Sequence, residues 1–266
     1  MTTTRAAAEP RSPSAALSGR CLYVYGIVDR PSHPALIAAA AGGAGLDVTG
    51  AGRVAAVHAD IDPDALRVIE PEVREGTRLA ELARNHDDVV SALARAGAVL
   101  PMRLGTVVAD RDLLAGLLAD AHACIADALD GVRGCSEWQL RIDPTSCADE
   151  DRRVPAQGRP GSGAAYLRAR RDERRRVSAA DHRLGDALDA LDEALSFFST
   201  AVRGALTVHH PASRAYLVPN SVQESFVAAA DDGLTRLGQL RCTARLLGPR
   251  PAYSFADVRL GSVDSD

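Results

Sequence analysis

The stretch Ala98-Val99-Leu100-Pro101-Met102-Arg103-Leu104-Gly105-Thr106-Val107-Val108 constrains this chain most, because it is an apolar run set between two helix-like segments. Its length and Val-rich ends predict a strand covered on at least one face. Pro101 cannot donate a ladder hydrogen bond, which places it at a sheet edge or an irregularity. Arg103 has two readings here: it projects from the solvent face, or it is partly covered and paired with a carboxylate, since an unpaired buried charge is costly.

The pattern on either side of this strand predicts an α+β unit over residues 21–143. Residues 21–28 are aromatic and β-branched and read as a strand. Leu46 to Thr49 and Arg53 to Ala59 flank Gly50-Ala51-Gly52 and read as a hairpin. From Val73 to Ala96, Leu79, Leu82, Val89, Val90 and Leu93 recur at helical spacing until Gly97 stops the helix. After the central strand Asp110 caps a second helix, lined by Leu114, Leu117, Leu118, Ala121, Ile125 and Leu129 and ended by Gly131. Glu137 to Ile142 then alternates, with Trp138, Leu140 and Ile142 on one face, as a half-buried strand does. This order predicts helices packed on one face of a mainly antiparallel sheet.

Residues 1–20, rich in Ala, Ser, Pro and Arg, read as a disordered tail, and residues 144–162, rich in Pro, Gly, Asp and Arg, as a linker. A second α+β unit follows over 163–266. It opens on a long helix whose Leu184, Leu188, Leu191, Leu195 and Phe198 form a heptad-like stripe. That stripe either packs onto the unit's own sheet or meets a partner helix; barely three heptads are present, which favours the first. Leu206 to His209 and Ala215 to Val218 read as strands, Ser221 starts a short helix, and Gln239 to Leu246 alternates as a strand. A tail closes the chain.

Composition excludes several classes of chemistry. The net charge is −4, from 31 basic and 35 acidic residues, which gives no overall argument for nucleic acid or an anionic membrane. All the basic residues are arginine, so a P-loop lysine, a Schiff-base lysine and a lysine general base are absent. Cys21, Cys124, Cys135, Cys147 and Cys242 are widely spaced and read as reduced small hydrophobes rather than zinc ligands or disulfides. No apolar run reaches membrane-spanning length, so a cytoplasmic protein is expected.

The remaining constellations have plain readings. Asp60-Ile61-Asp62-Pro63-Asp64 begins like a calcium loop, but Ala65 and Pro71 stand where that loop needs glycine and glutamate. His86 falls on the apolar side of its helix and reads as a core or interface histidine. His209 and His210 are adjacent and point to opposite faces of a strand. Gly161-Ser162-Gly163 lacks the spacing of a nucleophile elbow, and Gly42-Gly43-Ala44-Gly45 precedes a strand where a dinucleotide loop would follow one. Arginines 168 to 176, with Tyr166 beside them, are interspersed with Asp172 and Glu173 and read as a solvated helix face. No catalytic set, metal set or cofactor loop is visible.

Several segments in order resemble the gas vesicle protein L/F family. They are Leu22 to Val28; Asn85-His86 followed by Val99 to Val107; Gly163-Ala164-Ala165-Tyr166-Leu167; Ala215 to Pro219; and Leu247-Gly248-Pro249-Arg250-Pro251-Ala252-Tyr253-Ser254-Phe255. The resemblance spans about residues 21 to 257, and two departures stand out: Arg250 where the family often has tryptophan, and Leu104 where it often has phenylalanine. It implies two α+β domains, the first a modified ferredoxin-like sandwich. It also implies a non-enzymatic, cytoplasmic role at gas vesicles, binding the small shell-forming subunit and other accessory proteins without a cofactor, nucleic acid or membrane. The residues it marks as partner-binding or motif positions are Tyr25, His86, Pro101, Arg103, Tyr166, Tyr216, Pro249, Tyr253 and Phe255. An enzyme or small-ligand-binding protein on a ferredoxin-like scaffold is the alternative, because such scaffolds host many functions.

Overall fold

The structure is a computed structural model that describes residues 20–30, 45–62, 77–143, 163–207 and 212–257. The tail at 1–19, Gly42 to Ala44, the greater part of the calcium-like segment from Pro63 on, the helix start at Val73, the linker at 144–162 with Cys147, His209-His210 and the closing tail from 258 lie outside the described residues.

Strand β1 (Cys21–Asp29) is the centre of the first sheet. It pairs antiparallel with β3 (Val54–Ile61), and β3 pairs with β2 (Leu46–Ala51) across a turn in which Gly52 takes φ 57°. On its other edge β1 holds β4 (Val99–Pro101) and β5 (Val107–Val108). The spatial order is β2-β3-β1-β4, with β5 also on β1. The central run is thus two short edge strands and not one. Between them Met102–Thr106 leaves the ladder, with Gly105 at φ 86° and Leu104-Gly105 turning the chain.

Helix α1 (Arg78–Ala96) covers one face of this sheet; α2 (Arg111–Asp120) and α3 (His122–Val132) cover the other. The expectation of helices on one face is corrected here. All nine residues of β1 are buried, as a strand covered on both sides requires. Leu22, Val24 and Ile27 meet Leu114, Leu118, Ile125 and Leu129, whereas Tyr23, Tyr25 and Val28 meet Val89, Val90 and Leu93. The change from even to odd positions has a cause: a bulge between Val24 and Gly26 leaves Tyr25 unmatched and inverts the strand's phase. Gly26 follows from close packing, since a Cβ there would lie 2.9 Å from Val99 Cγ2 and 3.1 Å from the Leu100 carbonyl oxygen.

The second sheet has the antiparallel order β7-β8-β6-β9, from β6 (Cys135–Asp143), β7 (Ala201–Ala205), β8 (Ala212–Pro219) and β9 (Thr243–Arg250). The strand read as closing the first unit, β6, pairs here with β8 and β9. Helices α4 (Gly163–Phe197) and α5 (Gln223–Gln239) cover one face. Leu184, Leu188, Leu191 and Leu195 pack there with Phe226 and Leu237 against Trp138, Leu140 and Tyr216, so the leucine stripe is internal. From the opposite face Ala215 and Leu217 join Ala252 and Phe255 in the core beneath α2 and α3, which makes one hydrophobic cluster common to both sheets.

Three element boundaries differ from the expectation. The single helix after Asp110 is two helices that break at Ala121. Of the strand expected over Leu206 to His209, Leu206 and Thr207 are in no strand and the rest lies outside the described residues; the strand after α4 is Ala201–Ala205, which pairs Ala201 with Leu217. The strand expected from Gln239 starts at Thr243, because α5 carries its inward series Phe226, Ala230 and Leu237 up to Gln239.

Candidate functional site

The motif residues converge where α1 crosses the edge of the first sheet. Thr77 starts that helix by accepting the Ala80 N–H at 3.3 Å, and the apolar stripe turns His86, Val89, Val90 and Leu93 inward. His86 is only 3% exposed, so its ring polarity must be answered inside the protein. Its Nε2 lies 3.0 Å from the Met102 carbonyl, which can only accept, so Nε2 carries the hydrogen. Nδ1 then accepts from the Tyr23 hydroxyl at 2.8 Å, and that hydroxyl oxygen accepts the Gly105 N–H at 3.4 Å. Every donor and acceptor of the imidazole is used.

Three consecutive residues of α1 hold three tyrosines. Asn85 donates to the Tyr25 hydroxyl at 3.2 Å, His86 accepts from Tyr23, and Asp87 accepts from the Tyr253 hydroxyl at 3.3 Å. The rings enclose the imidazole: Tyr25 stacks on it with centroids 5.6 Å apart, Tyr23 meets it edge-on at 5.7 Å and Tyr253 lies at 6.4 Å. Burial holds the His86 pKa below 6.5, against smaller opposing effects of the Met102 carbonyl and Asp87. Burial also pushes the Tyr23 hydroxyl up to about 12, raises Tyr25 despite its bond from Asn85, and raises Tyr253 together with Asp87. The ring is therefore neutral and the phenols protonated at neutral pH. Such a cluster acts as a clamp on the strand-to-strand crossing.

What the clamp holds is the bulge at 102–106. Its two ends are fixed by the Met102 N–H to the Tyr25 carbonyl and the Val24 N–H to the Thr106 carbonyl, each 2.9 Å. Inside it Thr106 donates both its N–H and its hydroxyl to the Arg103 carbonyl. Arg103 and Leu104 are exposed at its tip. Of the two readings of Arg103, the solvent-facing one is observed: among the described residues its side chain makes no ion pair. Pro101 sits at the sheet edge as expected, opposite Gly26.

The C-terminal motif joins the sheets. The Glu137 carboxylate, 4% exposed, accepts the Ser254 N–H at 2.7 Å and the Ser254 hydroxyl at 2.8 Å. Tyr253 then enters the core under α1 while Phe255 enters the core under α2 and α3, with the Arg203 guanidinium 5.9 Å over its ring. Pro249, Arg250, Arg95, Arg133 and Asn220 line a cleft of about 620 Å³ at this junction. Neither His86 nor Arg103 lines it. Asp29 braces the same junction by accepting from Arg53 and Arg133; burial would raise its pKa, but the two guanidiniums hold it below the usual range.

Tyr25, His86, Pro101, Arg103 and Tyr253 thus lie together around one crossing, with Pro249 and Phe255 at the border of the group. Tyr216 lies apart in the second core, donating to Asp192 at 2.7 Å, and Tyr166 is exposed on α4. Sequence reasoning missed Tyr23, Asp87 and Glu137. Tyr23 and Tyr25 stand at i and i+2 of one strand, a spacing that places them on one face beside His86. Glu137 gives no such signal, since it sits on the polar side of a clean alternation. Among the described residues no three His, Cys, Asp or Glu side chains are placed to hold a metal ion, and no helix is long and apolar enough to cross a membrane.

Comparison with known proteins gives a consistent set of likenesses. Residues 21–257 match the family described as "Gas vesicle synthesis protein GvpL/GvpF". Gas vesicle protein L of Streptomyces sp. (strain CB03234) is 33% identical over 197 residues, which is 68% of this chain and 70% of the relative. Gas vesicle protein F of the same strain is 26% identical over 250 residues, 88% of this chain and 99% of the relative. Two crystal structures share the fold. GvpF from Anabaena sp. PCC7120 superposes with a TM-score of 0.62 at 15% identity, covering 91% of this chain and 98% of that one. GvpF from Microcystis aeruginosa has a TM-score of 0.58 at 16% identity, covering 90% and 99%.

Proposed function

The chain belongs to the GvpL/GvpF family of gas vesicle proteins, and from that premise we propose that it binds the small shell-forming subunit and assists nucleation or growth of the shell, without catalysing a reaction. It works in the cytoplasm beside the other accessory proteins. A shell subunit that is apolar before assembly needs its surface covered until it is delivered.

One observation carries the choice of surface: the buried His86–Tyr23 clamp holds an exposed Arg103–Leu104 pair at a fixed place on the sheet edge. A tip held this way loses little further freedom on binding. Its guanidinium can fork onto a carboxylate, and Leu104 offers an apolar contact beside it. The edge itself suits side-chain docking better than strand addition, because β4 is three residues long, ends in Pro101 and runs into the bulge. Leucine at 104 gives a smaller apolar contact than the phenylalanine often found in the family.

Co-expression with the shell subunit followed by affinity capture tests this. The wild-type chain retains the subunit, while Arg103→Ala and Leu104→Ala retain less at unchanged melting temperature. Capture of neither the shell subunit nor any other accessory protein of the gas vesicle cluster would sink the proposal.

A further inference from the structure

The geometry points to a second site on this chain: the outward face of α4, which pairs with the same face of a second copy, the two helices antiparallel and crossing at His182. Helix α4 has 35 residues and is therefore about 52 Å long. Its own sheet uses only the later half, through Leu184, Leu188, Leu191 and Leu195. At 100° per residue the face opposite that stripe carries Arg171 and Arg175, then His182, then Asp186, Asp189 and Glu193, all exposed. The order along this face is basic, central histidine, acidic. Among the described residues none of these charged groups makes an ion pair or a hydrogen bond.

That order complements itself in one arrangement. Arg171 and Glu193 each lie 11 residues from His182, and Arg175 and Asp189 each lie seven. An antiparallel second copy centred on His182 therefore sets Arg171 level with Glu193 and Arg175 level with Asp189. Two-fold symmetry makes each contact twice. Near the crossing Ala179 comes level with Gly185 and Asp186 with Ser178, so each side chain there meets a small one and the backbones can approach. A parallel arrangement would stack like charges. An acidic protein or a nucleic acid would meet Arg171 and Arg175 but be repelled by Asp186, Asp189 and Glu193.

Leu167 and Phe197 are 68% and 83% exposed, an unusual state for large apolar side chains on one helix. Each lies 15 residues from His182, but at 100° per residue they stand about 120° apart around the helix, so in the pair they flank the charged contact on opposite sides and the contact does not depend on them. The contact is narrow and largely charged, which makes it salt-dependent.

Sedimentation equilibrium of the full chain tests this without any shell subunit, so its outcome is separate from that of the function proposed above. In low salt the protein is expected to dimerise, with a dissociation constant weakened at least about tenfold in high salt. The double variant Arg171→Glu with Arg175→Glu is expected to be monomeric, as is Asp189→Arg with Glu193→Arg. An equal mixture of the two restores a dimer, because the opposite charges then sit on different chains. Ala179→Trp blocks the crossing sterically at an exposed position and gives an independent check, with circular dichroism reporting that each variant is folded. A wild type that stays monomeric in low salt, or variants that dimerise as the wild type does, would overturn the inference, as would a mixture that fails to pair.

Discussion

The two sheets hide polar groups in opposite ways, and the difference follows from how each is covered. The first sheet has helices on both faces, and the polar group at its heart is a neutral histidine whose two nitrogens are both bonded. The second is covered by helices on one face, and its hidden hydroxyl, Tyr216, donates to a carboxylate, Asp192, that also pairs with Arg214 at 2.6 Å. Asp192 and Arg214 both stay partly exposed. A layer closed on both sides excludes the water that would help to solvate a charge, so the group under its helix, His86, is neutral and bonded at both nitrogens, while the Asp29 carboxylate at the end of β1 keeps its charge through Arg53 and Arg133. A layer open at its margin can keep ions.

The comparison predicts unequal costs for removing each group. His86→Ala leaves a cavity and strands both the Tyr23 hydroxyl and the Met102 carbonyl, so a loss of about 4 kcal/mol is expected. Tyr216→Phe removes one hydroxyl and leaves Asp192 with Arg214, for about 1 kcal/mol. Urea unfolding of both variants measures the two values. Equal losses would mean that coverage does not decide the cost.

Within the first sheet and its helices, close packing separates two glycines in the same way. Gly26→Ala puts a methyl group against Val99 and the Leu100 carbonyl in the doubly covered sheet, and about 2 kcal/mol should be lost. Gly116→Ala in α2 meets open space and should gain about 0.5–1 kcal/mol from helix propensity. The shift in denaturation midpoint would have opposite sign in the two variants.

How much of this was legible in the sequence depends on the range of the interaction. Periodicity located α1 and the leucine stripe, because a helix repeats its pattern within the segment, and aromatic and β-branched composition located β1. Periodicity also put His86 on the apolar side of its helix, while the missing N–H of Pro101 placed that residue at an edge or an irregularity. What periodicity could not supply was partnership across the chain. Glu137 and Ser254 are 117 residues apart, and nothing local distinguishes that buried glutamate from Gln139 on the same strand. The break after Pro101 was hidden for a similar reason: an apolar run reads as one strand, while the bulge at Tyr25 and the clamp at His86 that interrupt it belong to other segments. The partners of β6 are hidden for the same reason, because alternation says which face is buried and not which sheet the strand joins.

Titration gives a smaller effect that still separates the two regions. His58, like His86, is buried in the first sheet, bonded to Thr49 at 3.0 Å, and burial holds its pKa below 6.5. Well above pH 6.5 both rings are neutral whether the chain is folded or not. As pH falls below 6.5 the unfolded chain takes up protons that the folded chain refuses, so stability falls until each folded-state pKa is reached. The slope is at most about 1.4 kcal/mol per pH unit for each histidine. Asp29 and Asp47, whose pKa values are lowered, become relevant only nearer 3.8. Thermal melts between pH 7.5 and about 5.5 should show this decline, and His58→Gln should remove about half of it. An unchanged slope in that variant would place the proton uptake elsewhere, in the second sheet or at the surface.

The smallest effect on stability is expected at the tip that the doubly covered sheet holds out to solvent. Arg103 has no ion pair among the described residues and Leu104 is exposed, so neither Arg103→Ala nor Leu104→Ala removes a buried contact. Each should change unfolding free energy by less than about 0.5 kcal/mol. The bulge itself should persist, because its ends are fixed by the Met102 and Val24 backbone bonds and by His86, not by the tip side chains. Hydrogen exchange at the Gly105 amide reports on this directly: protection retained in Arg103→Ala and lost in His86→Ala would separate the clamp from what it presents. If Arg103→Ala instead destabilised the chain as much as His86→Ala, the arginine would be part of the clamp, and its exposure would no longer argue for a partner.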